Sequence, residues 1–265
     1  MEKIIADVLK ALDGVGERFY RYRHIYFDNG NLVDTKQVKK LERRFMIEFS
    51  SQFSRGFQSK GLYEKLEYDF EVPKQFMWGE NPNSSIRRTW ETLNSSRRDV
   101  DMIEYFTTEP DFLVHRGEDN MLPDNQKLII EAKVNPRTSK GGVFKDIFHT
   151  FIYSNVYDFQ CSVMLLVNFE KERWLEYFYE YYNSGYYCGR LENYSKVYVI
   201  FKPSFHSEAE VHSVADILKI DTDGDLCPIC ESPMEHRMAR RGINAGNYFL
   251  GCIKFPDCRG TRNIT

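Results

Sequence analysis

Two apolar runs joined by a stretch of turn-forming residues constrain this chain more than any other feature. The runs are residues 111–115 and 127–134, and residues 117–126 between them contain Gly, Asp, Asn and Pro. Short apolar runs separated by such a stretch are typical of an antiparallel β-hairpin. A hairpin would bring Asp111, at the start of the first run, beside the end of the second run.

The second run ends in Glu131-Ala132-Lys133. Side chains alternate between the faces of a strand, so Glu131 and Lys133 share one face and Ala132 points to the other. Carboxylates of Asp111 and Glu131 at one sheet edge, with an ammonium beside them, predict a divalent-metal site suited to phosphodiester hydrolysis. A solvated edge hairpin, whose charges only keep it soluble, is the alternative interpretation.

This arrangement resembles the PD-(D/E)XK superfamily, the fold of many restriction and repair nucleases. The matching residues are Pro110-Asp111 and, after residues 112–130, Glu131-Ala132-Lys133 at the end of an apolar strand. The resemblance implies that Asp111 and Glu131 bind Mg²⁺ or Mn²⁺ and that the backbone carbonyl of Ala132 is a further ligand. It also implies that Lys133 orients or helps to activate the attacking water.

A helix is predicted from Asp34 or Thr35, each a plausible N-cap, to about Phe53. Its apolar side chains fall on one stripe that would pack against the sheet, namely Val38, Leu41, Phe45, Phe49 and Phe53.

Two acids of this helix lie within or beside the stripe, Glu42 and Glu48. Superfamily members frequently contribute a glutamate from the first core helix, so the resemblance implies Glu42 as a further site residue, with Glu48 as the second choice. An ion pair with Arg43, Arg44 or a neighbouring lysine is the alternative for a carboxylate in such a position. Two acids upstream of the hairpin are reserve candidates, Asp101 and Glu104.

The remaining pattern alternates between helices and strands. A helix is predicted over residues 1–12, a strand over 19–27 with a turn at 28–31, a helix over 143–159, a buried strand over 161–169, a helix over 171–182 and a strand over 196–201. This order predicts an α/β fold, a three-layer sandwich with a mixed β-sheet flanked by helices. The resemblance implies a restriction-endonuclease-like version of it, with a nuclease-like domain over 1–220 and its core over about 34–202.

Four of the six cysteines are close together near the end of the sequence, Cys227, Cys230, Cys252 and Cys258. Their spacing is typical of a tetrahedral zinc site, and a reducing cytosol disfavours disulfides. A module this small has little core, so the metal would supply most of its folding free energy. The other two, Cys161 and Cys188, are predicted to be buried thiols.

The segments Phe249-Leu-Gly-Cys252 and Phe255-Pro-Asp-Cys258-Arg259 resemble the four-cysteine zinc finger at the C-termini of bacterial type I topoisomerases. The resemblance implies a small zinc-ribbon domain over 226–265, preceded by a polar linker at 221–225. In topoisomerases such fingers bind DNA, often single-stranded.

Basic and aromatic side chains in two regions could contact nucleic acid, because cations contact phosphates and aromatic faces stack on bases. The candidates are Arg137 and Lys140 after the hairpin, and Arg240, Arg241, Tyr248, Lys254 and Arg259 in the finger. Finger aromatics that merely cover the zinc are the alternative. The pairs Arg87-Arg88 and Arg97-Arg98 suit phosphate contact and a solvated helix face equally well.

Composition limits the remaining possibilities. The formal net charge is -3, so no global positive field attracts nucleic acid and any contact must be local. No apolar run reaches the roughly 20 residues of a membrane span, and the N-terminus lacks the apolar segment of a signal peptide. We therefore expect a cytoplasmic protein with no membrane contact.

The leading hypothesis is a Mg²⁺-dependent DNA endonuclease whose zinc finger helps to bind the same DNA. The resemblance implies a role in bacterial restriction or anti-phage defence, as a homodimer or within a multi-protein complex. Two alternatives stay open: a non-catalytic DNA-binding or assembly module, and a nuclease that acts on RNA or on branched repair intermediates.

Overall fold

The computed structural model describes most of the chain, in ranges separated by gaps. The described residues are 2–21, 24–35, 41–57, 66–70, 74–77, 85–94, 105–116, 122–219, 227–230, 234–239, 242, 248–252 and 255–263. The predicted linker at 221–225 lies outside them, and the predicted domain boundaries therefore stay a prediction.

The helices in these ranges are α1 (Glu2–Asp13), α2 (Leu41–Phe57), α3 (Ser85–Asn94), α4 (Lys140–Asn155), α5 (Lys171–Asn183) and α6 (Val214–Leu218). The strands are β1 (His24–Asp28), β2 (Asn31–Thr35), β3 (Glu67–Asp69), β4 (Lys74–Met77), β5 (Tyr105–Thr108), β6 (Phe112–His115), β7 (Gln126–Lys133), β8 (Ser162–Val167), β9 (Val197–Lys202), β10 (Glu210–Ser213), β11 (Met234–Met238), β12 (Tyr248–Cys252) and β13 (Thr261–Asn263). Short 3₁₀ turns occur at Glu17–Phe19, Pro123–Asn125 and Leu191–Lys196.

The central sheet is mixed and has the strand order β10-β9-β8-β7-β6-β3. The strands β7, β8 and β9 run parallel, whereas β3, β6 and β10 pair antiparallel with their neighbours. Helices α4 and α5 connect the parallel strands, as parallel pairing requires a long crossover. The predicted α/β class with a mixed, helix-flanked sheet is confirmed.

Strict alternation along β7 divides the core into two layers. Leu128, Ile130 and Ala132 pack in one cluster with α1 and α2, while Ile129 belongs to the opposite cluster with α4 and α5. Strand β8 alternates in the same way, because both of its faces are covered. The predicted three layers are therefore present, and Glu131 lies on the α4 side.

The predicted start of α2 is wrong. Residues 34 and 35 belong to β2, which pairs with β1 through a two-residue turn, and the described helix begins at Leu41. The turn residues Asn29 and Gly30 have φ of 48° and 81°, the left-handed conformation that tight hairpin turns require. The predicted apolar stripe is buried from Leu41 to Phe53, and Val38 lies outside the described residues.

The other predicted elements are present with shifted ends. Of the strand predicted over 19–27, the described strand residues are those of β1, and Glu17–Phe19 forms a 3₁₀ turn at its predicted start. Helix α4 begins three residues before its predicted start, since the Ser139 side chain accepts a bond from the Gly142 N–H as its N-cap.

The backbone beyond β7 is held by two polar side chains. Asn168 donates from Nδ2 to the carbonyls of Tyr20 at 2.7 Å and Val134 at 3.2 Å. The Arg173 guanidinium donates to the carbonyls of Pro136 at 2.8 Å and Thr138 at 3.1 Å. Because buried backbone carbonyls need such donors, these bonds fix the end of β7 relative to its neighbours.

The C-terminal strands form their own antiparallel sheet in the order β11-β12-β13. Across the described ranges, no helix combines the length and the apolar character needed to cross a membrane.

Candidate metal centres and nucleic-acid-binding residues

The β6–β7 hairpin places Asp111 beside the end of β7. Phe112 pairs with Ile130, so the residue before Phe112 lies opposite Glu131. The Ala132 N–H donates to the Asp111 carboxylate oxygen Oδ2 at 2.7 Å. The structure therefore brings Asp111 against the Glu-Ala-Lys segment, as the hairpin predicts.

Lys133 is the centre of a cluster of negative groups. Its Nζ lies 3.3 Å from the Asp146 carboxylate, 3.4 Å from the Glu42 carboxylate and 3.1 Å from the Ala132 carbonyl oxygen. The Glu42 and Ala132 oxygens accept hydrogen bonds from the ammonium and Asp146 adds an ion pair, so the Lys133 side chain is held in one place.

The two predicted helix glutamates have different surroundings. Glu42, in the first turn of α2, reaches Lys133 across the end of the sheet. Glu48 instead accepts a bond from Gln52 Nε2 at 2.6 Å, one turn further along the helix. The structure thus assembles Glu42 with the other predicted residues and leaves Glu48 outside the cluster. The reserve candidates Asp101 and Glu104 lie outside the described residues.

Glu131 is 5% exposed and is held by side chains on α4. Its Oε1 accepts a short bond from the Tyr153 hydroxyl and lies 3.3 Å from His149 Nδ1. Thr108 contacts both of these side chains. Its Oγ1 lies 2.7 Å from the Tyr153 hydroxyl and 3.1 Å from His149 Nδ1. Burial lowers the pKa of His149 to about 4, so its imidazole is neutral at pH 7.

Asp146, His149 and Tyr153 were missed by sequence reasoning. They follow one another at intervals of three and four residues, the spacing of side chains on one face of a helix. Helix α4 is otherwise so apolar that its pattern reads as core. The signal that could have found these residues is a polar stripe within that apolar helix, which needs partners wherever it is buried.

The cluster contains more negative than positive charge. Lys133 is surrounded by four carboxylates, those of Asp111, Glu131, Glu42 and Asp146. Burial disfavours the charged ammonium, but these carboxylates outweigh that effect and raise the pKa of Lys133 above its ordinary value. One ammonium therefore stays protonated and faces up to four negative groups.

The buried carboxyls respond to this imbalance. Burial raises the pKa of Glu131 to about 7 and that of Asp146 to about 7, against the opposing effect of Lys133. Burial and then repulsion from Glu131 raise the pKa of Asp111 well above its ordinary value. Without a further cation, these groups hold protons near neutral pH.

The donor set fits a hard divalent cation, whose preferred ligands are carboxylate and carbonyl oxygens. Asp146 is only 7% exposed, and its Oδ2 has no hydrogen-bond partner in the described part of the chain, although the Lys133 ammonium lies near it. A second positive charge would relieve this surplus of buried acceptor oxygens.

The four C-terminal cysteines form a compact group. Their sulfur atoms all lie within 4.8 Å of one another, with Sγ atoms 3.6 Å apart for Cys227 and Cys258 and 3.5 Å apart for Cys230 and Cys252. Four sulfurs at about 2.3 Å from a tetrahedral zinc lie roughly 3.8 Å apart, so the geometry fits one structural Zn²⁺. Among the described residues this is the only close group of three or more Cys, His, Asp or Glu ligands.

Two glycines of the ribbon permit this packing. A Cβ on Gly260 would lie 2.1 Å from Cys227 Sγ, and a Cβ on Gly251 would lie 2.7 Å from the Arg237 side chain. The Gly260 carbonyl also accepts a bond from the Cys252 N–H at 2.8 Å. The Gly in each cysteine-containing motif therefore leaves room for a ligand sulfur or for an arginine that crosses the strand.

The predicted nucleic-acid contacts are only partly described. Arg137 and Arg259 are exposed, and Lys140 is exposed but pairs with Glu180 at 2.7 Å. The side chain of Tyr248 and all of Arg240, Arg241 and Lys254 lie outside the described residues.

Arg237 and Phe255 are a further basic and aromatic pair of the finger. The Arg237 guanidinium lies over the Phe255 ring at 5.2 Å, and Phe255 is 54% exposed. A cation stacked on an accessible aromatic face is a combination that can bind a phosphate and a base together. On helix α3, Arg87 pairs with Glu91, and Arg97-Arg98 lie outside the described residues.

Comparison with known proteins identifies the C-terminal segment. Residues 224–265 match the family described as the topoisomerase DNA binding C4 zinc finger. The predicted four-cysteine finger is confirmed, and the matched range contains all four clustered cysteines. No solved structure matches the chain.

Replacing Gly260 by Ala should abolish stable zinc binding. The added methyl group overlaps the Cys227 sulfur, which must move out of the ligand set. Elemental analysis of freshly purified Gly260→Ala protein should give less than about half an equivalent of zinc, because a missing thiolate removes most of the site's affinity. Gly141→Ala, where a Cβ meets no atom within 4 Å, is the control and should retain full zinc. Full occupancy in Gly260→Ala would contradict this packing.

The pH dependence of stability should reveal Glu131. The folded protein binds the Glu131 proton up to pH about 7, whereas the unfolded chain releases it near 4.5. Since the native state binds more protons in this interval, the stabilisation from Glu131 is lost as pH rises through it. As the pH rises from about 5.5 to about 8, the unfolding free energy of the wild type should fall by about 1–3 kcal/mol more than that of Glu131→Gln.

The measurement is urea unfolding of zinc-loaded protein in buffer free of Mg²⁺. Glu48→Gln is the matched control, because Glu48 lies outside the cluster, and it should keep the wild-type pH dependence. An identical pH dependence in Glu131→Gln and the wild type would show that Glu131 is not protonated in the native state.

Proposed function

We propose that this chain is a metal-dependent DNA endonuclease whose zinc ribbon helps to bind DNA. One observation carries the proposal: Asp111, Glu131, Lys133 and Glu42 meet at the carboxyl end of β7, although they come from three separate elements. Oxygen ligands beside a fixed ammonium form the set of groups that phosphodiester hydrolysis uses. The order of elements along the chain supports a restriction-endonuclease-like fold: the β6–β7 hairpin is followed by helix α4 and by the parallel strand β8.

The acids would hold the catalytic cation. Asp111, Glu131 and the backbone carbonyl of Ala132 are the ligands that we assign to Mg²⁺ or Mn²⁺. When bound, such an ion polarises the scissile phosphate and lowers the pKa of a bound water. The backbone bond from the Ala132 N–H orients the Asp111 carboxylate toward this end of the strand.

Lys133 has the role of a fixed positive charge in this proposal. Its raised pKa keeps the ammonium protonated, so it donates hydrogen bonds and stabilises negative charge that develops on the phosphate. Asp146 and Glu42 hold that ammonium in position from two different helices. A preorganised charge is effective because it needs no rearrangement during the reaction.

The zinc ribbon supplies the DNA contact. The matching family is described as DNA binding, and we extend that property to residues 224–265 of this chain. The exposed Arg259 and the Arg237–Phe255 pair are the described side chains that fit phosphate contact and base stacking. A restriction or anti-phage role, as a homodimer or with protein partners, completes the proposal.

A DNA-binding module without catalysis is the second candidate. It is favoured by the absence of a close carboxylate ligand group among the described residues, where only the cysteines form one. In such a protein Lys133 and its acids would serve as a buried ion network that holds α2, α4 and β7 together.

Metal-dependent cleavage tests the proposal. Zinc-loaded protein should cut plasmid DNA with added Mg²⁺ and not in its absence. Lys133→Ala and Asp111→Asn should each lower the rate by about 100-fold or more, since the first removes the ammonium that stabilises developing negative charge and the second removes a ligand of the cation. Both variants should bind DNA like the wild type in fluorescence anisotropy, because the ribbon is unchanged.

Glu48→Gln is the control and should cut at the wild-type rate. Supercoiled, single-stranded and modified DNA and single-stranded RNA are tested in parallel. Cutting of RNA alone would keep the chemistry and change the substrate. Failure to cut any of them, with DNA binding retained, would leave the binding module as the correct assignment.

A further inference from the structure

The Glu131 carboxylate is bound by side chains that do not belong to the Asp and Glu-x-Lys pattern. Tyr153 and His149 come from α4, and Thr108 is the last residue of β5. We infer that these three residues position Glu131 as a metal ligand. This inference rests on the proposed function. The hydroxyl and imidazole groups would act through Glu131 and touch neither the cation nor the substrate.

The hydrogen atoms of this network have one consistent arrangement. With Glu131 as a carboxylate, which can only accept, the Tyr153 hydroxyl donates to Oε1. Thr108 Oγ1, 2.7 Å away, then donates its only hydrogen to the Tyr153 oxygen. The remaining acceptor site of Thr108 faces His149 Nδ1 at 3.1 Å, so His149 carries its hydrogen on Nδ1.

That tautomer directs His149 toward Glu131 as well. Its Nδ1–H lies 3.1 Å from Thr108 Oγ1 and 3.3 Å from Glu131 Oε1, and is shared between the two oxygens. Within the described residues, the donors from α4 therefore end on Oε1 of the carboxylate. We assign the second oxygen, Oε2, to the cation, and the bonds to Oε1 fix the plane of the carboxylate before the cation arrives.

Burial makes this network effective. Tyr153 is fully buried, Thr108 is 3% exposed, and Glu131 is 5% exposed, so water does not compete for their hydrogen bonds. Side chains that orient a ligand in this way typically change metal affinity or activity by about 10–100-fold when they are removed. A carboxylate without them would rotate and lose the alignment with Asp111.

Binding of Mn²⁺ to zinc-loaded protein without DNA tests the inference. Electron paramagnetic resonance of free Mn²⁺ gives the dissociation constant. Tyr153→Phe, which removes only the hydroxyl, should weaken Mn²⁺ binding by about 10–100-fold. His149→Ala should also weaken it, whereas His149→Asn should restore much of the affinity, because its amide places a donor near the position of Nδ1.

Tyr157→Phe is the matched control. Tyr157 is a buried tyrosine two residues after the end of α4, and the described hydrogen bonds to Glu131 come from Tyr153 and His149, so this variant should bind Mn²⁺ like the wild type. Unfolding curves of all variants identify any loss of structure. Thr108→Val, with Thr108→Ser as the conservative exchange, provides a second test that leaves both aromatic rings in place.

The outcomes separate the inference from the proposed function. If the wild type binds Mn²⁺ and Asp111→Asn does not, the metal site is present. Wild-type affinity in folded Tyr153→Phe, His149→Ala and Thr108→Val would then overturn the positioning role alone. Absence of Mn²⁺ binding in the wild type itself would overturn both the metal site and the positioning role.

Discussion

The end of β7 buries more negative than positive charge, and the organisation of the α/β domain depends on how that imbalance is compensated. Lys133 is the one ammonium among the described residues that faces four carboxylates there. A buried carboxylate without a partner costs several kcal/mol, so each acid must find a donor, a proton or a cation. Asp111 takes a backbone N–H, Glu131 takes a hydroxyl and an imidazole, and the pKa values of the buried acids rise. The same groups would be satisfied together by one divalent ion.

The fold supplies this cluster through simple geometric rules. An antiparallel hairpin places Asp111 opposite Glu131, and strand alternation turns Glu131 toward α4 while Ala132 joins the other core layer. The crossover helix α4 then covers that face of the sheet and brings acidic, imidazole and phenol groups onto it. Helix α2 lies on the opposite layer, and its first turn reaches Lys133 around the end of β7. In the C-terminal sheet, the four cysteine sulfurs pack with Met234 and Leu250, and two glycines leave room for this packing.

The elements that residues close together in the sequence determine were predicted from local sequence patterns. The β6–β7 hairpin, the apolar stripe of α2 and the four cysteines all have short-range signals, and the structure contains each of them. The choice between Glu42 and Glu48 was open, because both lie near the edge of the same stripe and only the approach of α2 to β7 separates them. Asp146, His149 and Tyr153 were hidden because α4 is buried and apolar overall. The start of α2 was wrong because a two-residue Asn-Gly turn extends a strand through the expected N-cap.

Soaking crystals of the zinc-loaded protein in Mn²⁺ tests the central claim most directly, because anomalous scattering locates each metal. We expect one peak among the four cysteine sulfurs and a second peak in contact with Asp111, Glu131 and the Ala132 carbonyl. A zinc peak alone, with the Lys133 ammonium still bound to Asp146 and Glu42 at saturating Mn²⁺, would contradict the account. The acids would then be a structural ion network, and the chain a zinc-containing nucleic-acid-binding protein.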